Sequence, residues 1–433
     1  MSPMIVGSIG IIVMLVLLVL GMPIGFGMAL VGFVGVWYFT SISAVINITA
    51  TVPYDAMANY GLCVLPLFLL FGAVCKNSDM GKDLFDMAYK WMGRIPGALA
   101  LACLVEGTIF GAISSSGIAT IITVGKVSLP EMKKGKYDDA LATGCVACGG
   151  MLGILLPPSS VMVIYGIMTE QSIAAVFIAG VIPGLILAFM FMGYAVAVCI
   201  KNPQMGPPGP SFTFKEKVWS LVPSLEINLL TVLVLVGLVV GWFTPTESGA
   251  IAAAGAIVFS LFKRRLSWKG FKESLWETIG GSGMIYGMLI GSFILNSFLT
   301  MSQIPMHIAD MVAGLHLPGL VIMIIIIAIY FVLGTFFPEM AMIILTLPVF
   351  FPIVMKCGFD PIWFGIVVTW AVGIGGITPP VGMGIYVTAG IAKEVPLTTI
   401  LRGLMPFIYM ELIFAALLIG FPQMATWLPS LMK

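Results

Sequence analysis

Residues 150–159 read GMLGILLPPS, and residues 376–382 read GITPPVG. Each proline pair interrupts an apolar run, 138–168 or 360–392, that is otherwise long enough to cross a bilayer, which takes about 20 residues. Proline donates no amide hydrogen and its ring clashes with the preceding turn, so both runs break here. Lipid cannot bond to the freed backbone groups. A broken membrane helix is tolerated only inside protein or beside a water-filled cavity.

The two breaks stand 222 residues apart, and the letters around them repeat at that spacing. Without gaps, residues 95–158 laid over 317–380 give 13 identities in 64 positions. All four prolines of the first window meet prolines: Pro96/Pro318, Pro130/Pro352, Pro157/Pro379 and Pro158/Pro380. Gly97/Gly319, Gly153/Gly375, Lys134/Lys356 and Asp138/Asp360 also coincide. Proline and glycine punctuate the backbone, so the repeat preserves backbone geometry.

The chain has 433 residues, 60% hydrophobic and only 9% charged, with mean hydropathy +1.12. A soluble domain carries about 25% charged residues, so most of this surface faces lipid. The net charge of +1 points to neither nucleic acid nor an acidic partner. The first apolar run lacks a basic leader and a cleavage site and reads as a retained helix. Spans are expected at about 4–20, 22–39, 61–75, 138–168 and 173–200, then 225–243, 247–262, 278–300, 360–392 and 398–421. The polar stretch 40–60 separates the second span from the third. Residues 77–94 read as an amphipathic segment on the membrane surface.

Residues 96–129 and 318–355 are apolar but interrupted mid-way, at Ser114-Ser115-Ser116-Gly117 and at Phe336-Phe337-Pro338-Glu339. Their halves are short for spans, so each reads as a re-entrant helical hairpin. Five crossings plus one hairpin per half is an odd number of crossings, so residues 225–433 insert upside down relative to residues 1–200, with 201–224 as a cytoplasmic linker. With both termini outside, the inside loops hold 18 of the chain's 20 basic residues, leaving Lys356 and Lys433 outside. That partition is the positive-inside pattern. The expected fold is thus an all-α integral membrane protein built as an inverted repeat, an architecture of secondary transporters.

The two tips and the two Pro-Pro breaks should meet near the midplane. Freed carbonyls suit a hard cation such as sodium, and helix N-terminal amides suit a carboxylate. Ser116 is placed to cap the second limb of its hairpin, and Pro338 reads as a first helical residue. Glu339, an acid within a membrane segment, is a site candidate, and Thr378 adds an oxygen beside its break. Glu106 and Glu411, also within apolar helices, read as structural. The seven cysteines, including the pair Cys145 and Cys148, read as packing residues, and His307 and His316 as a loop pair too small for zinc.

The phrases FGAISSSG at 110–117, GMLGILLPPS, GITPPVG and the opening Gly21-Met22-Pro23-Ile24-Gly25 resemble the large membrane subunit of tripartite ATP-independent periplasmic (TRAP) transporters, over essentially the whole chain. The resemblance implies sodium-driven uptake of a small organic acid by an elevator motion across the bacterial inner membrane. It also implies a small four-helix membrane partner and a soluble periplasmic substrate-binding protein, with sodium as coupling ion and no cofactor. Carried over by position, one sodium site uses Ser114 and Ser116 with backbone from Gly153 to Pro157. The other uses Thr335 and Glu339 with backbone from Gly375 to Thr378. Substrate then lies against Ser115, Ser116, Gly117, Pro158, Ser159, Glu339, Thr378, Pro379 and Gly384. Two departures stand out: the first tip reads SSSG where the family pattern is closer to SGSS, and Gly384 replaces a frequent asparagine, which is expected to widen or alter the substrate pocket.

A single-chain sodium- or proton-coupled dicarboxylate symporter shares every feature read from the residues alone. A membrane-embedded enzyme is disfavoured by the lack of a ligand cluster or nucleophile–base spacing. A passive channel is the third class.

Overall fold

The computed structural model describes residues 2–314, 317–379 and 382–432. Pro380, His316 and Lys433, singled out above, lie outside the described residues. Those described form helices and turns alone. In order these are α1 (Pro3–Val19), α2 (Ile24–Phe39), α3 (Ile42–Ala58), α4 (Val64–Asn77), α5 (Met80–Met92), α6 (Ala98–Ser114), α7 (Gly117–Lys134), α8 (Asp139–Leu152), α9 (Ser160–Met168), α10 (Ile173–Lys201) and α11 (Phe214–Ser220). The chain continues with α12 (Leu225–Val240), α13 (Pro245–Phe262), α14 (Trp268–Ser302), α15 (Ile304–Gly314), α16 (Gly319–Gly334), α17 (Glu339–Lys356), α18 (Pro361–Gly375), α19 (Met383–Ile391), α20 (Leu397–Gly420) and α21 (Gln423–Ser430).

The 222-residue spacing recurs in the elements. Helices α7 and α17 start and end 222 residues apart at both ends, and α8 and α18 start 222 apart. The shared aspartates are helix caps: Asp138 accepts from the amides of Ala140 and Leu141, and Asp360 from that of Trp363. An N-cap satisfies donors the helix leaves open, which explains why this letter recurs.

Among the described residues, seven helices are long and apolar enough to cross a bilayer, or eight if the bent pair α11 and α12 counts as one. Six of the seven fall on expected crossings; the seventh is α17, whose 18 residues make it longer than expected for a hairpin limb. Helices α1, α2 and α18 have 17, 16 and 15 residues, at or below the short end of the usual span. Conversely α14, expected over 278–300, runs unbroken through 35 residues.

Other differences have local causes. The polar stretch 40–60 forms α3, capped by the Ser41 hydroxyl on the Ala44 amide. The amphipathic α5 turns Met80, Leu84, Phe85 and Ala88 inward and packs on α6, so its apolar face meets protein rather than lipid. The linker contains α11, opened by a capping box between Thr213 and Glu216. His307 lies in α15 rather than in a loop. Pro338 is the cap before α17, and Glu339 is its first residue. All seven cysteines are unpaired, with Cys145 and Cys148 buried.

Candidate functional site

The first tip is two residues wide. Ser115, at the end of α6, takes a left-handed conformation (φ 53°) that stops the helix. Ser116 caps α7, its hydroxyl accepting from the Ala119 amide. Three oxygens then knot together. The Ser114 and Thr120 hydroxyls share a hydrogen bond at 2.5 Å in which one donates to the other, and the Ser116 carbonyl lies within reach of both, at 3.1 and 2.8 Å, to accept the remaining proton. The Ser115 hydroxyl reaches across to donate to the Pro158 carbonyl at 3.1 Å. The tip is thereby tied to its own break.

That contact is possible because α6 and the first break approach with no side chains between them. A Cβ at Gly153 would stand 2.1 Å from the Gly111 carbonyl carbon, inside any permitted contact. The second half has the same seam: a Cβ at Gly375 would stand 2.5 Å from Gly334 Cα. The breaks also turn alike. The Leu156 amide donates to Gly153, and the Thr378 amide to Gly375, each at 3.2 Å. A carbonyl has a second lone pair, so both oxygens retain capacity for a cation.

At the second tip Thr335 ends α16 and its hydroxyl donates to the Val332 carbonyl at 2.8 Å. Glu339 does not turn toward its own break. Its carboxylate reaches the first hairpin: a Cβ at Gly117 would stand 2.6 Å from Glu339 Oε1. Oε1 is buried and has no hydrogen-bond partner among the described residues. Met151 completes the junction. Its sulfur would lie 2.3 Å from a Cβ at Gly117, and its methyl 2.7 Å from one at Gly376. The two tips and the two breaks therefore meet.

Of the other predicted residues, Pro158 and Ser159 are buried at the first break. Thr378 is buried with its hydroxyl on the Ile374 carbonyl at 2.7 Å, and Pro379 is half-buried. Gly384 does not widen a pocket. It is buried, and a Cβ there would meet Ile377, Ile121 and the Gly376 carbonyl at 2.9–3.1 Å. The two isoleucine side chains and the carbonyl close on this glycine and leave no room for a larger residue.

Two polar residues escaped the sequence reading. Thr120 belongs to the first tip, and its position four residues after Ser116, on the same face of α7, was the available signal. Ser160 follows the first break directly, and its hydroxyl is buried without a partner among the described residues. The two remaining membrane acids sit apart from the tips' meeting point. Glu106 accepts from Ser128 at 3.1 Å, and Glu411 on α20 accepts from the Trp370 indole at 2.5 Å.

Residues 11–424 match the family described as tripartite ATP-independent periplasmic transporter, DctM component. The chain belongs to this family. The permease is 34% identical to the C4-dicarboxylate TRAP transporter large permease of Pseudomonas aeruginosa, over 87% of this chain and 88% of that one. It is 31% identical to the sialic acid TRAP transporter large permease of Vibrio cholerae, over 96% of each. An ectoine/5-hydroxyectoine large permease of Ruegeria pomeroyi is 30% identical, over 96% of this chain and 97% of that one. The permease is accordingly a multi-pass membrane transport subunit and not an enzyme. Its fold resembles that of the YdaH transporter of Alcanivorax borkumensis, with TM-score 0.64 at 14% identity over 87% of this chain and 88% of that one. It also resembles MtrF of Neisseria gonorrhoeae, with TM-score 0.59 at 15% identity over 97% and 95%.

Proposed function

We propose that the permease carries a small organic acid into the cell, across the bacterial inner membrane, coupled to sodium entry. In this reading its partners are a small four-helix membrane subunit and a soluble periplasmic substrate-binding protein. Residues 1–200 and 225–433 are inverted repeats joined by a cytoplasmic linker, and both termini are periplasmic. The observation that carries the reading is the junction of the tips, where Glu339 of one hairpin reaches Gly117 of the other.

Mechanistically, one sodium ion sits among Ser114, Ser116, Gly153 and Pro157, and another among Thr335, Gly375 and Thr378, with Glu339 contributing negative charge from the junction. The acid lies between the tips, against Ser115, Ser116, Gly117, Pro158, Ser159, Thr378 and Pro379. Sodium shifts the equilibrium toward the ordered tips because it binds them better than the open ones. The hairpins and broken helices then slide as one body against a frame of intact helices, in an elevator motion. Relatives named for C4-dicarboxylates, sialic acid and isethionate support an organic anion as cargo.

The test is uptake by proteoliposomes holding the permease with its small subunit. Uptake that requires both a sodium gradient and the binding protein is expected. Uptake by the permease alone would move it to the single-chain symporters, and flux that never saturates would make it a channel.

A further inference from the structure

A cavity of about 180 Å³, roughly six waters by liquid volume, is lined by the first tip and by no residue of its break. One wall is the hairpin, with Phe110, Ser114, Ser116 and Ala119; the other comes from α4 and α14 and includes Lys76 and Glu277. The face that α4 presents is set by helical spacing: Leu69, Gly72, Ala73 and Lys76 all line the cavity, in the i, i+3, i+4, i+7 pattern of one helix stripe. Gly72 lets α4 settle on the tip, since a Cβ there would stand 2.7 Å from Ser114 Cα. Lys76, one turn further on, is thus held beside the tip serines.

Lys76 Nζ lies 2.6 Å from Glu277 Oε1, with the side chains 32% and 43% exposed. An ion pair this wet adds little to stability. It joins α4 to α14, which already pack closely along their length, so the fold does not need it. What it does provide is a cation in the wall of a mostly apolar cavity whose other wall carries Ser114 and Ser116 of the candidate site. Lysine is a compact charge on a flexible stem. A free carboxylate is the same chemical group as its present partner and can replace it with no loss of charge-assisted hydrogen bonding.

We propose that Lys76 is a carboxylate-relay residue. It takes the acid's carboxylate at the seam between α4 and the first tip, and Glu277 holds it when no acid is there. This deepens the proposed transport function and rests on it. The ligand class is a small organic acid, met on the inner side of the site as it leaves or re-enters.

The experiment is substrate exchange in proteoliposomes containing the complete transporter, comparing wild type with K76R, K76M, E277Q and the double variant K76M/E277M. The relay predicts that K76M raises the half-saturating acid concentration about tenfold, the scale of one charge-assisted hydrogen bond. K76R stays within about threefold of wild type, and E277Q, which frees the lysine, lowers the value. The double variant, with no unpaired charge left, remains as impaired as K76M. Recovery of wild-type exchange by the double variant would make the pair purely structural and overturn the proposal, as would an unaffected K76M. A wild-type complex that moves no organic acid removes the transport reading and the relay together. Wild-type exchange with an indifferent K76M removes the relay alone.

Discussion

In the first tip, three serines turn the chain within two residues, and their hydroxyls bond to the Ser116 carbonyl, to Thr120, to the Ala119 amide and to the neighbouring break. In the second, residues 335–338 make a wider turn with Phe336 exposed, and its acid, Glu339, serves the other hairpin. Yet both hairpins lean on their own breaks through a glycine–glycine seam, and both breaks turn through the same amide-to-carbonyl bond. Backbone geometry has been held alike in the two halves while side-chain chemistry has diverged. The first tip is self-contained; the second depends on a contact outside its own half.

If the seams are equivalent, breaking either should do equal damage. Gly153→Val and Gly375→Val each force a side chain into backbone, with a cost of about 3 kcal/mol from overpacking. Both are expected to lower the melting temperature of the purified protein sharply and to abolish uptake. A tolerated Gly375→Val would mean the second seam is loose and the likeness superficial.

Ser115→Ala with Thr378→Val removes one hydroxyl from each side of the junction. Uptake is expected to fall to background while melting stays within a few degrees of wild type. Wild-type uptake by the double variant would displace the site from the tips.

The divergence of the tips is sharpened by the acids. Glu339→Gln should cut sodium-driven uptake at least tenfold, measured as initial rate. Glu411→Gln, which keeps an acceptor for the Trp370 indole, should change it less than about twofold. Trp370→Phe leaves the Glu411 carboxylate without its donor and should cost about 1–3 kcal/mol in thermal melting, with less effect on rate. Equal losses from the two glutamine variants would undo the distinction.

The smallest effect is expected at the Lys133–Glu394 pair, whose side chains are 69% and 77% exposed. The Lys133 hydrogen bond holds the Glu394 carboxylate below its ordinary range. The pair is therefore intact above that range and is lost as pH falls through the lowered value. Glu394→Gln should leave melting unchanged at neutral pH and remove only a slight acid-side dependence.

How much of this was legible follows the same division. Prolines, glycines and capping aspartates act on the backbone directly, so the hairpins, the breaks and their 222-residue spacing were readable from letters. The cap role of Ser116 was readable too, because capping is local. Side-chain partners across the molecule were not. Nothing near Glu339 in sequence says that its carboxylate goes to Gly117, which lies in the other half. At Gly384 an absent side chain reads as space, whereas here the Ile377 and Ile121 side chains and the Gly376 carbonyl occupy it. The helix α3 was missed because polar composition says where water is, not how the chain is folded.

The glycine seams also cross between halves. A Cβ at Gly291 of α14 would stand 2.1 Å from the Gly25 carbonyl oxygen of α2, and one at Gly144 of α8 would stand 2.5 Å from the Gly403 carbonyl oxygen of α20. This interlocking sets a timetable for synthesis. At ribosomal speed the first 200 residues emerge on the order of ten seconds or more before the second half is complete. Through that interval α2 and α8 hold smooth glycine faces with no partner. The early membrane intermediate must wait, or be held, until α14 and α20 arrive. Two fragments divided within residues 201–224 should therefore accumulate only when made together in one cell, each acting as the other's late-arriving chaperone.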